Sequence, residues 1–133
     1  MVKPDGVARG LEPKIFALVE KTGLKIEAKK KITLSAAQAA DLYSPHLGKS
    51  FYQGLIRFIT SGPVIACTVS GDNAIARLRE LMGATDPRQA APGTIRGDLK
   101  EADVFNEDKI MKNLVHGSDS PESAKRELAI FFN

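Results

Sequence analysis

Leu24-Lys25-Ile26-Glu27-Ala28-Lys29-Lys30-Lys31-Ile32-Thr33-Leu34 alternates apolar and charged side chains along eleven residues, with Lys30 as the one exception. Alternation at period two is the pattern of a strand with one face buried, so residues 24–34 are expected to present Leu24, Ile26, Ala28, Ile32 and Leu34 to a core. The opposite face, with Lys25, Lys29 and Lys31, is expected to be solvated. Upstream, Ile15, Leu18 and Val19 recur at helical spacing and Gly23 stops that helix. Still earlier, Pro4-Asp5-Gly6 reads as a turn, preceded only by Met1 and Val2.

Downstream, Ser35 with Gln38 three residues on forms a capping box that opens a helix. A second short helix carries Phe51, Leu55, Phe58 and Ile59 on one side and is broken by Ser61-Gly62-Pro63. Val64-Ile65-Ala66-Cys67-Thr68-Val69 is continuous enough in apolar character for a buried strand. Asp72 is placed to cap a helix bearing Ile75, Leu78 and Met82, closed by Gly83. Periodicity then disappears over residues 84–112, and so long an irregular stretch inside a compact domain points to a functional site. Leu114-Val115-His116 reads as a short strand, and Ser120-Pro121 as a helix start. The last helix places Ala124, Glu127, Leu128 and Phe131 on one inward stripe. The order β-α-β-(αα)-β-α-loop-β-α predicts an α+β, ferredoxin-like sandwich: an antiparallel sheet with helices on one face and a truncated first strand.

The chain has 133 residues and 43% hydrophobic content, enough for one domain spanning 1–133 and one core. Nineteen basic against 16 acidic residues leave a formal charge of +3, too mild to argue for nucleic acid. Cys67 is the only cysteine, so no intrachain disulfide exists, and its apolar surroundings suggest a buried structural thiol. Two histidines and one cysteine, widely separated, give no zinc spacing. No signal peptide or membrane-length apolar run is evident, and a cytoplasmic protein is expected. Gly48-Lys49-Ser50 resembles the end of a P-loop, but that motif requires glycine where Tyr43 stands.

Glu127 lies on an apolar stripe, where a carboxylate needs a partner. That partner is either a basic residue such as Lys125 or Arg126, or the imidazole of His116. A carboxylate on one ring nitrogen fixes the tautomer and leaves the other as a nucleophile, which suits covalent phosphate transfer. Asn113 precedes His116 and Gly117-Ser118-Asp119 follows it, whereas His46 has no such company and reads as a surface or helix-end residue. Arg79, Thr85 and Arg96 in and beside the irregular stretch offer two forked cations and a hydroxyl for a polyphosphate, although each arginine alone also reads as a surface charge.

Five stretches in order carry a family resemblance: Lys3-Pro4-Asp5-Gly6-Val7, Thr60-Ser61-Gly62-Pro63-Val64, Gly83-Ala84-Thr85, Pro92-Gly93-Thr94-Ile95-Arg96-Gly97-Asp98 and His116-Gly117-Ser118-Asp119-Ser120. On these the chain resembles nucleoside diphosphate kinases over nearly its whole length. The resemblance implies a ferredoxin-like core and ping-pong transfer of a terminal phosphate between nucleoside tri- and diphosphates. It also implies Mg2+ carried on the nucleotide phosphates, and a homo-oligomer. It makes His116 the nucleophile, Glu127 its orienting carboxylate and Ser118 their support. Arg79, Thr85 and Arg96 would bind phosphates with Tyr43 beside them. Lys3 and Asn113 would contact sugar hydroxyls and phosphates, and Phe51 would stack on the base.

The sequence departs from the family in its short first strand, in a longer segment 99–112, and in ending soon after Phe131-Phe132. More of the first strand is expected upstream of Met1. Counting back from Asn113 makes Ile110 the far wall of the base site. Two other classes compete: a nucleotide-binding or regulatory module that lost turnover with its first strand, and a nucleic-acid-binding domain resting on the basic face of residues 24–34.

Overall fold

The computed structural model describes residues 1–132. Its elements are α1 (Pro4–Ala8), α2 (Glu12–Lys21), β1 (Lys25–Ile32), α3 (Ala36–Leu42), α4 (Tyr52–Ile59), β2 (Val64–Ser70), α5 (Ala74–Met82), α6 (Ile95–Leu99) and α7 (Pro121–Phe132), with 3-10 turns at Ser44–His46 and Pro87–Gln89. β1 and β2 form an antiparallel ladder from Lys25↔Ser70 to Ile32↔Val64. Val2 extends it as a single-residue bridge, antiparallel to Ile65 on one side and to Val115 on the other. The spatial order β1, β2, Val2, Val115 is the ferredoxin-like arrangement, with the shortened first strand in a central place as the sequence predicts. No helix among the described residues is long and apolar enough to cross a membrane.

The alternation in β1 is interrupted. Ile26 pairs with Val69 but Ala28 pairs with Thr68, so Glu27 is an extra residue on β1. One inserted residue flips every later side chain to the other face. Ile26 therefore packs with Val2, Ile15, Phe16 and Ile65, whereas Ile32 and Leu34 pack with Val64, Ala66, Leu55 and Ile59. The single face expected for residues 24–34 is thus split between two clusters, and Ala28 is exposed. The crossover helices α2 and α5 lie against one cluster. Side chains of α3, α4 and α7 fill the other, so the far face of the sheet is covered as well.

Several local expectations change. Pro4-Asp5-Gly6 is the start of α1 and not a turn, because Pro at the first helical position needs no N–H partner. Asp72 does not cap α5; Asn73, in a left-handed conformation (φ 52°), holds that place without a side-chain bond. The last four residues of β2, Cys67 included, are half-buried, since Val2 reaches only as far as Ile65. Leu128 is 41% exposed, while Glu127 and Phe131 carry the buried stripe of α7. The irregular stretch contains α6, capped by Thr94 Oγ1 accepting from Gly97 N at 3.0 Å.

The lysine face is solvated and interrupted. Lys25 lies 3.9 Å from Glu27, and Lys29 sits 4.8 Å over the Phe16 ring. Such a broken face gives no continuous track for a phosphate backbone.

The turn into α6 depends on the absence of a side chain at Gly97, where a Cβ would run into the Ala91 carbonyl and stand 2.8 Å from Thr94 Oγ1. Gly97→Ala is expected to lower stability by about 1–3 kcal/mol in chemical denaturation, as overpacking does. Gly62→Ala, with nothing nearer than Pro4 Cβ at 4.0 Å, should change it little.

Candidate active site

The central bridge fixes the segment that carries His116. His116 N donates to Met1 O at 2.9 Å, and the N-terminal ammonium donates to His116 O at 2.8 Å. Just before it, Leu114 is fully buried with φ 71°, and Val115 N donates to Asn113 O at 2.7 Å. A bond two residues apart around a left-handed central residue is a strained γ-turn, tolerated only where its surroundings enforce it. Here Asp5 Oδ2 accepts from Leu114 N at 3.0 Å, and Lys3 N donates to Leu114 O at 2.8 Å. The N-terminal residues thus clamp the turn that delivers His116.

His116 Nε2 lies 2.6 Å from Glu127 Oε1, which also accepts from Ser118 Oγ at 2.8 Å. An ionised carboxylate only accepts, so Nε2 carries the hydrogen and Nδ1 keeps its lone pair. Burial holds the His116 pKa below the usual imidazole value, against the opposing pull of Glu127. The ring is therefore neutral near pH 7. Burial would raise the Glu127 pKa, but the hydrogen bond and charge of His116, with Ser118 and Arg126, bring it below the ordinary range. Arg126 Nη2 lies 3.3 Å from Glu127 Oε2, so the carboxylate takes both partners that the sequence offers. Arg126 also donates to Asp41 O at 2.6 Å, which ties α7 to the end of α3.

Tyr43 follows that helix end, is buried, and meets the His116 ring edge-on at 6.2 Å. His46 lies 5.9 Å from Tyr43 and 5.4 Å from Phe51, joining them into one aromatic row. It ends the 3-10 turn Ser44–His46, the helix-end place the sequence allows, and is half-buried, with Nδ1 lacking a partner among the described residues. Tyr43 Oη is likewise unpartnered there. Phe51 caps α4 at 41% exposure, leaving ring surface open.

A second web holds the opposite wall. Arg96, 6% exposed, donates to Asn113 O at 3.0 Å, Gly83 O at 3.1 Å and Val115 O at 2.8 Å. Burial lowers its pKa to about 10, so it stays charged. Three carbonyls occupy three of its five N–H groups and leave two without a partner among the described residues. Asn113 accepts from Lys3 Nζ at 2.8 Å and donates to Thr85 O at 3.0 Å. Arg79 Nη1 donates to Gly117 O at 3.1 Å, holding the residue after His116.

The ten residues proposed from sequence for catalysis and nucleotide binding therefore fall into one connected set, with Phe51 joined through His46 and Thr85 through its carbonyl, while Ile110, expected as the far wall of the base site, is buried beside Gly54 of α4. The sequence reading does not single out His46 or Asp5 for the site. The spacing of Tyr43 to His46, three residues apart and so neighbours on one helical turn, was the available signal for the first.

A family model described as nucleoside diphosphate kinase matches residues 1–133. The chain belongs to the nucleoside diphosphate kinase family. A nucleoside diphosphate kinase of Listeria monocytogenes serotype 4b (strain CLIP80459) is 52% identical over 132 residues, covering 99% of this chain and 85% of that protein. One from Metallosphaera sedula is 46% identical over 133 residues, covering 100% and 90%. Among solved structures, a halophilic nucleoside diphosphate kinase from Halobacterium salinarum in complex with CDP superposes with TM-score 0.89 at 44% identity, covering 99% of this chain and 84% of that one. A Borrelia burgdorferi nucleoside diphosphate kinase, solved as a transition state mimic with bound vanadate and ADP, gives 0.90 at 33% identity, covering 99% and 83%. The family fold and the present strand order agree.

Lys3 supplies a pH test of this web. Burial lowers its pKa from 10.5 to about 8, so between those values the unfolded chain binds more protons than the folded one. Its contribution to unfolding free energy must then rise with pH across that window and be constant below it. Denaturant titrations from pH 8 to 10.5 should show a flatter pH dependence for Lys3→Gln than for the parent chain.

Proposed function

We propose that the chain transfers the terminal phosphate of a nucleoside triphosphate to a nucleoside diphosphate by a ping-pong route through phospho-His116. Family membership supports the reaction. The observation that carries its route is the imidazole tied at Nε2 to Glu127, whose carboxylate is itself held by Ser118, with Nδ1 making no hydrogen bond among the described residues.

In the first half-reaction the Nδ1 lone pair attacks the terminal phosphorus, the bond to the bridging oxygen breaks, and the nucleoside diphosphate leaves with that electron pair. The ring gains positive charge as the N–P bond forms, and the Glu127 carboxylate stabilises it. In the second, a terminal oxygen of an incoming diphosphate attacks phosphorus and the N–P bond breaks, restoring neutral His116. The transferred group needs its charge dispersed over the equatorial oxygens. Arg79, the free N–H groups of Arg96 and the Thr85 hydroxyl are the groups for that work, with Tyr43 beside His116. Lys3 and Asn113 serve the sugar and phosphates, and Phe51 stacks on the base.

No cluster of three or more His, Cys, Asp or Glu able to hold a metal exists among the described residues. In this reading, which rests on family membership, magnesium comes with the substrate, bound through its phosphates. A homo-oligomer and a cytoplasmic setting belong to the same reading.

Incubation with a γ-labelled nucleoside triphosphate and Mg2+, without acceptor, should place acid-labile label on the protein and none on His116→Ala. Glu127→Gln should still label, at a rate lowered about 10–100-fold, the range seen when a carboxylate that orients a metal-bound histidine is removed. Label persisting on His116→Ala would refute the route.

Phe51→Ala should raise KM for purine and pyrimidine nucleotides alike, since stacking adds roughly 1–3 kcal/mol per base without regard to identity. A loss confined to one base in steady-state kinetics would exclude the stacking role.

A further inference from the structure

The segment between α6 and Asn113 folds into a small hairpin with its own internal support. Phe105 and Met111 form a bridge, and Lys112 N donates to Val104 O at 2.7 Å. At its tip, Asn106 Oδ1 accepts from both Asp108 N and Ile110 N at 2.9 Å, and Lys109 adopts φ 61°. These contacts brace the tip from within, and its outside attachments fix where it sits.

It is attached on one side to α4, which carries Phe51, and on the other to the turn beside Thr85; in the reading above these are the two walls of the nucleotide cleft. On the α4 side, Asp108 makes a forked pair with Arg57, Nε to Oδ2 at 3.0 Å and Nη2 to Oδ1 at 3.2 Å. Ile110 lies so close over Gly54 that a Cβ there would stand 3.1 Å from its Cγ1 and Cδ1. Phe51, Gly54 and Arg57 are spaced three apart and share one helical stripe, so the hairpin packs along the line that leads to the stacking ring. On the opposite side, the Phe105 ring lies 5.0 Å from the Arg88 guanidinium, which is itself paired with Asp86 next to Thr85. The hairpin then runs into Asn113, which holds Lys3 and the Thr85 carbonyl.

We propose that the hairpin of residues 104–111 is a strap setting the separation of the two walls at the base end of the cleft, with Asp108 as a positioning residue acting through Arg57. This rests on the nucleotide-cleft reading above. The forked pair is solvent-exposed, with Arg57 62% and Asp108 31% accessible in the side chain. Exposed pairs contribute little to global stability, so breaking this one leaves the fold in place and displaces only the strap. A strap at the base end acts on ligands that carry a base and not on a bare phosphate chain.

The test measures affinity of the full chain for ADP and for inorganic tripolyphosphate, both with Mg2+, in the parent, Asp108→Asn, Arg57→Gln, and the swap Arg57→Asp with Asp108→Arg. Each single variant should bind ADP roughly two- to fivefold more weakly, the range of one exposed ion pair, with tripolyphosphate unchanged. The swap should restore ADP affinity. In turnover, KM should rise in the same proportion at constant kcat. Unchanged ADP affinity, equal losses for both ligands, or failure of the swap to restore binding would overturn the proposal. Binding does not require turnover, so a chain that takes ADP without forming phosphohistidine would refute the kinase route while the comparison of ligands still decides the strap.

Discussion

A single residue joins the two halves of the sheet. Val2 is bonded to Ile65 on one side and bridged to Val115 on the other, with Met1 and Lys3 adding bonds to His116 and Leu114. Unmade buried hydrogen bonds cost about 1–3 kcal/mol each, so these few bonds matter more than their number suggests. They hold β1 and β2 beside the segment that carries the nucleophile. The γ-turn at Leu114 and the position of His116 both depend on that junction.

Around it the molecule spends buried polar groups freely. Lys3, Asp5, Arg96, Asn113 and Glu127 are all buried, and such groups are tolerated only where they are paired. Most of the pairing here is with backbone carbonyls and amides of loops, so the same bonds that neutralise the desolvation cost also fix loop shape. Arg96 is the clearest case, since its three carbonyl partners belong to the end of α5 and to both sides of the γ-turn. A side chain expected to meet phosphate is also a structural bolt.

Much of this was legible in the sequence because it was local or carried by ordered motifs. The capping box at Ser35 and Gln38 is present in full, and Glu127 reaches His116, one of the alternatives that its inward stripe left open. What could not be read was long-range or depended on one inserted residue. The bulge at Glu27 left only Lys30, an exception in the alternation, as its trace. Asp5 looked like a turn residue because its partner, Leu114 N, is more than a hundred residues away. The stretch 84–112 lacked periodicity because its helices are a turn or so long, too short for a repeat to show. Its hairpin is held by Asn106, Arg57 and Arg88, contacts that leave no pattern in the sequence.

The bonds that shape the nucleophile's segment span nearly the whole chain: 109 residues between Asp5 and Leu114, 110 between Lys3 and Asn113, and 115 between Met1 and His116. Contacts this distant form late, since loop closure must precede them. Residues 1–5 must therefore wait for residues 113–116 before either segment has its partner. The working geometry of His116 is thus set among the late events of folding, and the competence of the site becomes a report that these two distant segments have met.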